Sequence, residues 1–172
     1  MIPIGGAHFT RDLEITKHLG GIASSERIKM RFGTVLPSHV PAEESVELEE
    51  EGRLVSRREI AEVLQARAAE LLNLVLAEMG RTGLMHEIHG GVHLVGGGAL
   101  LTHLPILAQT LLGRPRVVLG RIQGVVGLPQ ATGNPFFVNA LGAVKSLSRD
   151  MSETRSKTDR GNSFFDRIKN MF

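Results

Sequence analysis

Two groups of residues in this sequence have types and spacings that suit ligand binding. Gly96, Gly97 and Gly98 follow a predicted strand and precede a predicted helix, so their backbone N–H groups could closely approach an anion or a flat ring. A tight strand-to-helix turn without any ligand would use the same glycines. Glu26 and Lys29, three residues apart on one helix face, could hold a ribose hydroxyl and a purine edge, but a solvated ion pair is the commoner meaning of this spacing alone.

Three histidines lie close together without the spacing of a metal site. His86, His89 and His93 surround Glu87, but the run His-Glu-Ile-His is one residue short of the zinc-protease pattern and lies in a glycine-rich turn. The sequence therefore does not predict a metal site, and no set of nucleophile, base and orienting residue suggests itself.

The last ten residues, 163–172, have the pattern of an amphipathic helix. Arg167 and Lys169 flank one apolar stripe at helical spacing, which consists of Phe164, Phe165, Ile168, Met171 and Phe172. This arrangement suits a helix that lies in a membrane interface with its basic groups at anionic lipid head groups. Docking of the helix back onto the domain is the alternative, which a polar, flexible linker over residues 148–162 makes less natural. Because one short helix should bind weakly, many linked copies would work best.

The composition fits a globular protein without disulfides. The chain has 172 residues, is 42% hydrophobic and carries a net charge of only +2, which does not suggest a nucleic-acid-binding protein. With no cysteine there is no disulfide framework and no thiolate metal site, and the cytoplasm is the default compartment. The sequence begins without a signal-peptide pattern, and no apolar run approaches the roughly 20 residues that a membrane span requires. Any membrane contact is therefore expected to be peripheral.

The first half of the sequence predicts short elements. Residues 2–4 could form a strand, after which a glycine turn leads into a helix. Ser24-Ser25 could cap a second, short helix that Gly33 ends. Residues 45–55 alternate around a turn and predict a hairpin. These elements would position Glu26 and Lys29.

The second half predicts a long helix and a βαβ unit. Ser56 and Glu59 form a capping box at the start of the long helix, and Asn134-Pro135 opens a last core helix. Between these helices the pattern predicts a strand, the glycine loop, a helix and a second strand, over residues 92–95, 96–98, 104–112 and 116–119. A βαβ unit has parallel strands and would place the glycines at the carboxyl edge of the sheet, where ligands usually bind. The fold class is mixed α/β.

Taken in order, the motifs resemble those of the actin and Hsp70 ATPase superfamily. They are Ile2-Pro3-Ile4-Gly5-Gly6 with Thr10-x-Asp12, Glu26-x-x-Lys29 with Gly33, and Leu94-Val95-Gly96-Gly97-Gly98-Ala99-Leu100. Residues 57–76, residues 127–135 and the Phe-rich end look specifically like the FtsA family of bacterial division proteins rather than the rod-shape protein MreB. The resemblance covers essentially the whole chain.

The resemblance implies a partial actin-like (ribonuclease-H-like) fold with an inserted helix and hairpin subdomain. In the terms of that family, residues 1–9 would begin subdomain 2A, residues 10–87 would form subdomain 2B, and residues 88–147 would continue 2A with the adenosine loop. The linker, 148–162, and the membrane-targeting helix, 163–172, would follow.

The resemblance also implies ligands and partners. The ligand is ATP with magnesium: Glu26 and Lys29 match the pair at the adenosine, Gly96, Gly97 and Gly98 match the adenosine-loop glycines, and Gly5 and Gly6 lie near the phosphates. Subdomain 2B of FtsA receives the C-terminal tail of the tubulin-like FtsZ. Candidates to meet that acidic peptide are Arg57, Arg58 and Arg67. A solvated basic face is an equal alternative for these arginines.

The function implied is a peripheral tether that links FtsZ filaments to the cytoplasmic face of the inner membrane at the division site, together with other FtsA-like subunits. The chain lacks the family's first phosphate loop, subdomain 1C and second, Asp-x-Gly loop, so the resemblance implies an incomplete ATP-binding cleft. Neither ATP hydrolysis nor tight ATP binding is therefore expected of this polypeptide alone. The missing strands would also leave an open sheet edge, at which residues 2–4 could remain unpaired. One alternative is a C-terminal subunit of a split actin-like ATPase that needs a separate N-terminal half. Another is an actin-like scaffold that uses the tail for protein docking.

Overall fold

The fold is given by a computed structural model, which describes residues 2–48, 52–83, 89–113, 116–123, 125 and 133–149. Its helices are α1 (Gly6–Lys17), α2 (Ile22–Phe32), α3 (Arg57–Arg81), α4 (Leu104–Leu112) and α5 (138–149). Its strands are β1 (Ser45–Glu47), β2 (Leu54–Ser56), β3 (Val92–Leu94) and β4 (Val117–Leu119). Single turns of 3₁₀ helix occur at Pro37–His39, Gly97–Leu100 and Pro135–Phe137.

Helix α2 begins earlier than the sequence predicts. The Glu14 carboxylate accepts hydrogen bonds from the backbone N–H of Leu19 at 3.1 Å and of Gly21 at 3.0 Å, and from the Ser25 hydroxyl at 2.8 Å. This side chain of α1 organises the turn in which Gly21 is the N-cap. The prediction that Ser24-Ser25 caps the helix is therefore wrong, since both serines lie inside it. The predicted end at Gly33 is confirmed.

The predicted hairpin is confirmed, but the capping box after it does not form. Strands β1 and β2 pair antiparallel with the buried Val46 opposite the buried Val55. Helix α3 starts directly after β2 with Ser56 as its N-cap, yet the serine side chain makes no capping hydrogen bond. Glu59 instead forms an ion pair with Lys17 of α1 at 2.7 Å. A contact between two helices thus replaces the predicted local contact.

The core of the described residues forms around α3. This helix buries one stripe at a spacing of four residues, Ile60, Leu64, Ala68 and Leu72, against α1 on one side and α4 on the other. Each large apolar side chain contributes roughly 1.5–3 kcal/mol when it is fully buried. The same helix therefore fixes both α1, which borders the candidate site, and α4, which follows the glycine turn in the chain.

The βαβ unit is confirmed, with β3 and β4 parallel and Val92 opposite Val117. Residues 2–4 form no strand and remain unpaired, because this segment has no strand partner among the residues that the structure describes. The last helix is confirmed as a helix but not as a core element, since Val144 and Leu147 are mostly exposed. Within the described ranges, no helix combines the length and apolarity that crossing a membrane would need.

Candidate ligand-binding cleft

A cleft of about 580 Å³ lies between the first two helices and the glycine turn. Its lining residues come from three distant parts of the sequence. The first part is the region of α1 and α2, the second is residues 97–101, and the third is residue 136. Five residues that the sequence selected line this cleft: Gly6, Glu26, Lys29, Gly97 and Gly98. The order of motifs along the chain therefore corresponds to a single place in space.

The two remaining predicted glycines lie beside the cleft rather than in its lining. Gly5 is the N-cap of α1, and its N–H donates to Nδ1 of His8 at 3.1 Å. Gly96 has a φ of 89°, which a residue with a side chain rarely adopts, and its N–H donates to the Pro135 carbonyl at 2.9 Å. Both glycines shape the turns that carry the lining residues.

Lys29 is the buried cation of the cleft. Its ammonium donates to the Glu26 carboxylate at 2.6 Å, to the Thr10 hydroxyl at 2.9 Å and to the Gly6 carbonyl at 3.1 Å. An ammonium has three donors, so all of them are in use. Only 8% of Lys29 is exposed, so the solvated ion pair considered from the sequence is not what forms. Lys29 connects α2 to the first turns of α1.

Glu26 is the acidic group of the cleft and remains partly open to solvent, with 42% of its side chain exposed. Partial burial by itself raises the pKa of this carboxyl, but hydrogen bonds from Lys29 and Thr10, together with the charge of Lys29, outweigh that effect and lower the pKa below its ordinary value. The group is therefore an ionised hydrogen-bond acceptor at neutral pH. A ligand hydroxyl that enters the cleft can donate to it.

The glycine turn gives the cleft a wall of exposed backbone. The turn follows the carboxyl end of β3, as the βαβ pattern predicts, and continues into Gly97–Leu100. A Cβ added at Gly98 would meet no atom within 4 Å, whereas one at Gly97 would lie 3.1 Å from Cδ2 of Phe136. Gly98, which lines the cleft, therefore has open space around its Cβ position, and Gly97 allows the close approach of an aromatic ring.

Sequence reasoning missed the apolar part of the lining, which includes Met30, Leu101 and Phe136. Phe136 reaches the cleft because the turn at Pro135–Phe137 is held against the glycine loop. The available signal was Asn134, whose side chain accepts a hydrogen bond from the Phe136 N–H at 3.0 Å and so fixes the start of this turn. That signal predicts the turn but not what lies next to it.

The three arginines proposed to meet an acidic peptide already have partners within the chain. Arg57 donates to the Phe32 carbonyl at 3.0 Å and to Glu44 at 2.6 Å, and Arg58 donates to the Val40 carbonyl at 2.9 Å.

Arg67 is the most strongly held of the three. It donates two hydrogen bonds to Asp12 and also contacts Glu70, and the hydrogen bond to Asp12 is the main reason why the pKa of Arg67 is raised above its ordinary value. The arginines thus do not form one surface of uncompensated charge, and their role toward a peptide stays a prediction.

Several predicted features lie outside the described residues. These are the membrane-helix residues Phe164, Phe165, Arg167, Ile168, Lys169, Met171 and Phe172, most of the linker, and the pair His86 and Glu87. Residues 148 and 149, at the start of the predicted linker, are the last described residues of α5. In the part of the chain that the structure describes, no three potential metal ligands come together.

The fold is that of an actin-like protein in part. The structure is similar to that of MreB5 of Spiroplasma citri, solved with bound ADP, with a TM-score of 0.57 over 88% of this chain and 47% of that chain. The sequences are only 16% identical, so this likeness concerns the fold. The predicted partial actin-like α/β class is confirmed.

The sequence model of the family described as Cell division protein FtsA matches residues 1–142, and the chain belongs to this family. It is 30% identical to Cell division protein FtsA of Pseudomonas aeruginosa, over 95% of this chain and 40% of that protein. It is 32% identical to the same protein of Rhizobium meliloti, over 82% of this chain and 33% of that one. It is 33% identical to Cell division protein FtsA of Escherichia coli K12, over 70% of this chain and 31% of that protein. The chain thus spans between 31% and 40% of the length of these relatives.

Proposed function

We propose that this chain acts in cell division as the adenosine-binding part of an FtsA-type protein that connects FtsZ filaments to the cytoplasmic face of the membrane. The observation that supports nucleotide binding is the cleft itself, because the Glu26–Lys29 pair and the glycine turn both line it. Its volume of about 580 Å³ is within the usual range of small-molecule pockets, roughly 300–1,000 Å³. ADP, which is bound in the similar MreB5 structure, contains the same adenosine group as ATP.

The residues of the cleft suit the adenosine end of ATP better than its phosphates. Glu26 is an ionised acceptor for a sugar hydroxyl, and the exposed backbone at Gly98 allows close approach of a sugar or base. Lys29, the lysine that lines the cleft, already makes three hydrogen bonds within the chain. Hydrolysis needs groups that hold magnesium and orient water, so we do not assign it to this polypeptide alone.

The test of nucleotide binding is the shift in melting temperature on addition of Mg-ATP. At an ATP concentration of about 100 times Kd the expected stabilisation is about 2.7 kcal/mol, which is a shift of several degrees for a chain of this size. Gly98→Val should reduce the shift, because the new side chain enters the open cleft without meeting an atom of the protein near its Cβ.

The matched control for this variant is Gly80→Ala, a change that also meets no neighbouring atom but lies near the end of α3 and far from the cleft in sequence. Its shift should equal that of the unaltered chain. Equal shifts for Gly98→Val and the unaltered chain would exclude this cleft as the ATP site.

Membrane attachment is proposed on the amphipathic pattern of residues 163–172 and on membership in the FtsA family. The experiment is co-sedimentation of the full chain with liposomes of low and high anionic lipid content, compared with a chain that lacks residues 164–172. The full chain should pellet more strongly as the anionic fraction rises. Equal pelleting of both chains would remove the membrane part of the proposal.

A second candidate is an ATPase subunit whose cleft works only together with a separate N-terminal half. The observation that favours it is that, among the described residues, the sheet beside the glycine turn consists of β3 and β4 alone. In addition, three apolar side chains between residues 137 and 147 are exposed: Phe137, Val144 and Leu147. Addition of the N-terminal portion of an FtsA relative should then strengthen ATP binding at least tenfold. Unchanged affinity would argue for the first candidate.

A further inference from the structure

A phenylalanine ring borders the cleft beside the glycine turn. Phe136 is 57% exposed and lines the same space as Glu26, Lys29 and Gly98. Among the described residues, this is one of two exposed phenylalanines, and its neighbour Phe137 is not in the lining. An exposed aromatic face in a pocket is a surface on which a flat ligand can stack.

Contacts with its surroundings hold this ring in place although it is mostly exposed. The Phe136 N–H donates to the Asn134 side chain at 3.0 Å, and the preceding Pro135 carbonyl accepts from the Gly96 N–H at 2.9 Å. The Phe137 ring packs edge-on against it, with ring centroids 5.0 Å apart and planes at 83°. The backbone that carries Phe136 is therefore fixed, and a second ring packs against its side chain.

The glycine at position 97 is explained by this ring. A Cβ added at Gly97 would lie 3.4 Å from Cε2 of Phe136 and only 3.1 Å from its Cδ2, and the second distance is shorter than ordinary packing allows. The absence of a side chain at Gly97 therefore lets the ring lie against the turn. The edge of the cleft that carries Gly97 and Gly98 thus combines backbone with one aromatic surface.

We infer that Phe136 is the stacking surface for the purine base of the bound nucleotide. This inference rests on the proposed function, since it assigns the base of the same ligand to one residue of the same cleft. The base has a flat π face and the sugar has hydroxyl groups, and the cleft offers an aromatic ring for the first and the Glu26 carboxylate for the second. Stacking does not depend on the edge pattern of the base, so Phe136 contributes affinity rather than choice between purines.

The affinity test compares two neighbouring phenylalanines. Phe136→Ala should weaken ATP binding about 5- to 140-fold, the range that base–aromatic stacking gives on alanine substitution. Phe136→Tyr should retain binding, because it keeps the ring. Phe137→Leu, which preserves an apolar contact behind the ring, should change affinity less than threefold. Isothermal titration of the full chain with Mg-ATP measures all four proteins.

A fluorescence test locates the base directly. The chain has no tryptophan and no tyrosine, so Phe136→Trp introduces a single indole at the proposed stacking position. Mg-ATP should quench its fluorescence saturably, while inorganic tripolyphosphate, which has no base, should not. Phe137→Trp is the matched control, because its indole lies one residue away and outside the lining, and its emission should change little.

The outcomes separate this inference from the function on which it rests. If the unaltered chain binds ATP and Phe136→Ala binds it equally well, or if both tryptophan variants are quenched alike, Phe136 does not stack on the base while nucleotide binding stands. If tripolyphosphate quenches Phe136→Trp as ATP does, the ring senses phosphate and the inference is wrong. If the unaltered chain shows no binding of ATP at millimolar concentration, both the inference and the nucleotide-binding part of the first proposed function fail.

Discussion

Replacing Gly33 with alanine should destabilise the chain through a clash with the backbone. Gly33 ends α2, lines the cleft, and donates its N–H to the Lys29 carbonyl at 3.0 Å. The new Cβ would lie 2.2 Å from that carbonyl oxygen, 3.1 Å from Cδ1 of Leu64 and 3.2 Å from Cδ2 of Leu101. Since unbonded heavy atoms prefer a separation of roughly 3.5 Å, the end of the helix must move by about 1 Å.

The expected cost follows from three contributions. Overpacking of a close-packed site costs about 1–3 kcal/mol, and loss of the Gly33–Lys29 hydrogen bond costs about 1 kcal/mol. The smaller entropy of the unfolded chain with alanine offsets about 0.4–1 kcal/mol. The free energy of unfolding should therefore fall by roughly 1–3.5 kcal/mol. For a chain of 172 residues, the middle of that range lowers Tm by roughly 5–10 °C.

Urea denaturation and thermal melting of Gly33→Ala measure this cost, with Gly80→Ala as the matched control. Gly80 lies in α3 with open space around its Cβ, so alanine there should stabilise by roughly 0.5–1 kcal/mol. Adding Leu64→Val to Gly33→Ala removes a side-chain contact but not the contact with the Lys29 carbonyl, so stability should not be restored. A Gly33→Ala protein that melts within about 1 °C of the unaltered chain, or full restoration by Leu64→Val, would refute the reasoning.

Three further perturbations test the contacts around the cleft. Asp12→Asn should lower stability by about 1–2 kcal/mol, because Arg67 donates two hydrogen bonds to this carboxylate and the side chains of Asp12 and Arg67 are only 22% and 24% exposed; additivity with Arg67→Met in a double-mutant cycle would contradict the pairing. Leu64→Ala should cost about 2.7–5 kcal/mol in urea denaturation, because Leu64 is fully buried; a cost below about 1 kcal/mol would show a loosely packed site. Because the pKa of Glu26 is lowered by folding, its ionised form stabilises the folded chain above the unfolded pKa of about 4.3, and this stability is lost as pH falls through the folded pKa. Glu26→Gln should therefore lose less stability than the unaltered chain between pH 6 and pH 3. Parallel pH profiles of the two proteins would speak against this coupling.

Elements with local signals could be predicted from the sequence. The predicted bounds of α4, Leu104–Leu112, agree with the structure, because its apolar periodicity is ended by Gly113 in a left-handed conformation. The hairpin could also be predicted from the sequence, since the alternation of polar and apolar residues places Val46 and Val55 on the same buried face. In these cases the residues that determine an element lie within it or directly beside it.

The features that escaped prediction depend on residues far apart in the sequence. The start of α2 is fixed by a hydrogen bond to Glu14 of α1. Glu59, which was predicted to cap α3, instead forms an ion pair with Lys17 of α1. For the cleft, five of the seven predicted ligand-binding residues lie in its lining, but the burial of Lys29 and the approach of Phe136 could not be predicted, because they depend on how distant segments pack. Spacing along the chain carries no information about such contacts.

The separation of the cleft residues along the chain has a kinetic consequence. One group lies between residues 6 and 33 and the other between residues 97 and 136, so the cleft exists only after a long segment of chain has been closed by non-local contacts. The hairpin and the separate helices can form earlier from local contacts. A ligand that touches both groups is therefore expected to recognise the native state rather than the folding transition state. It should slow unfolding in proportion to its affinity and leave the refolding rate almost unchanged.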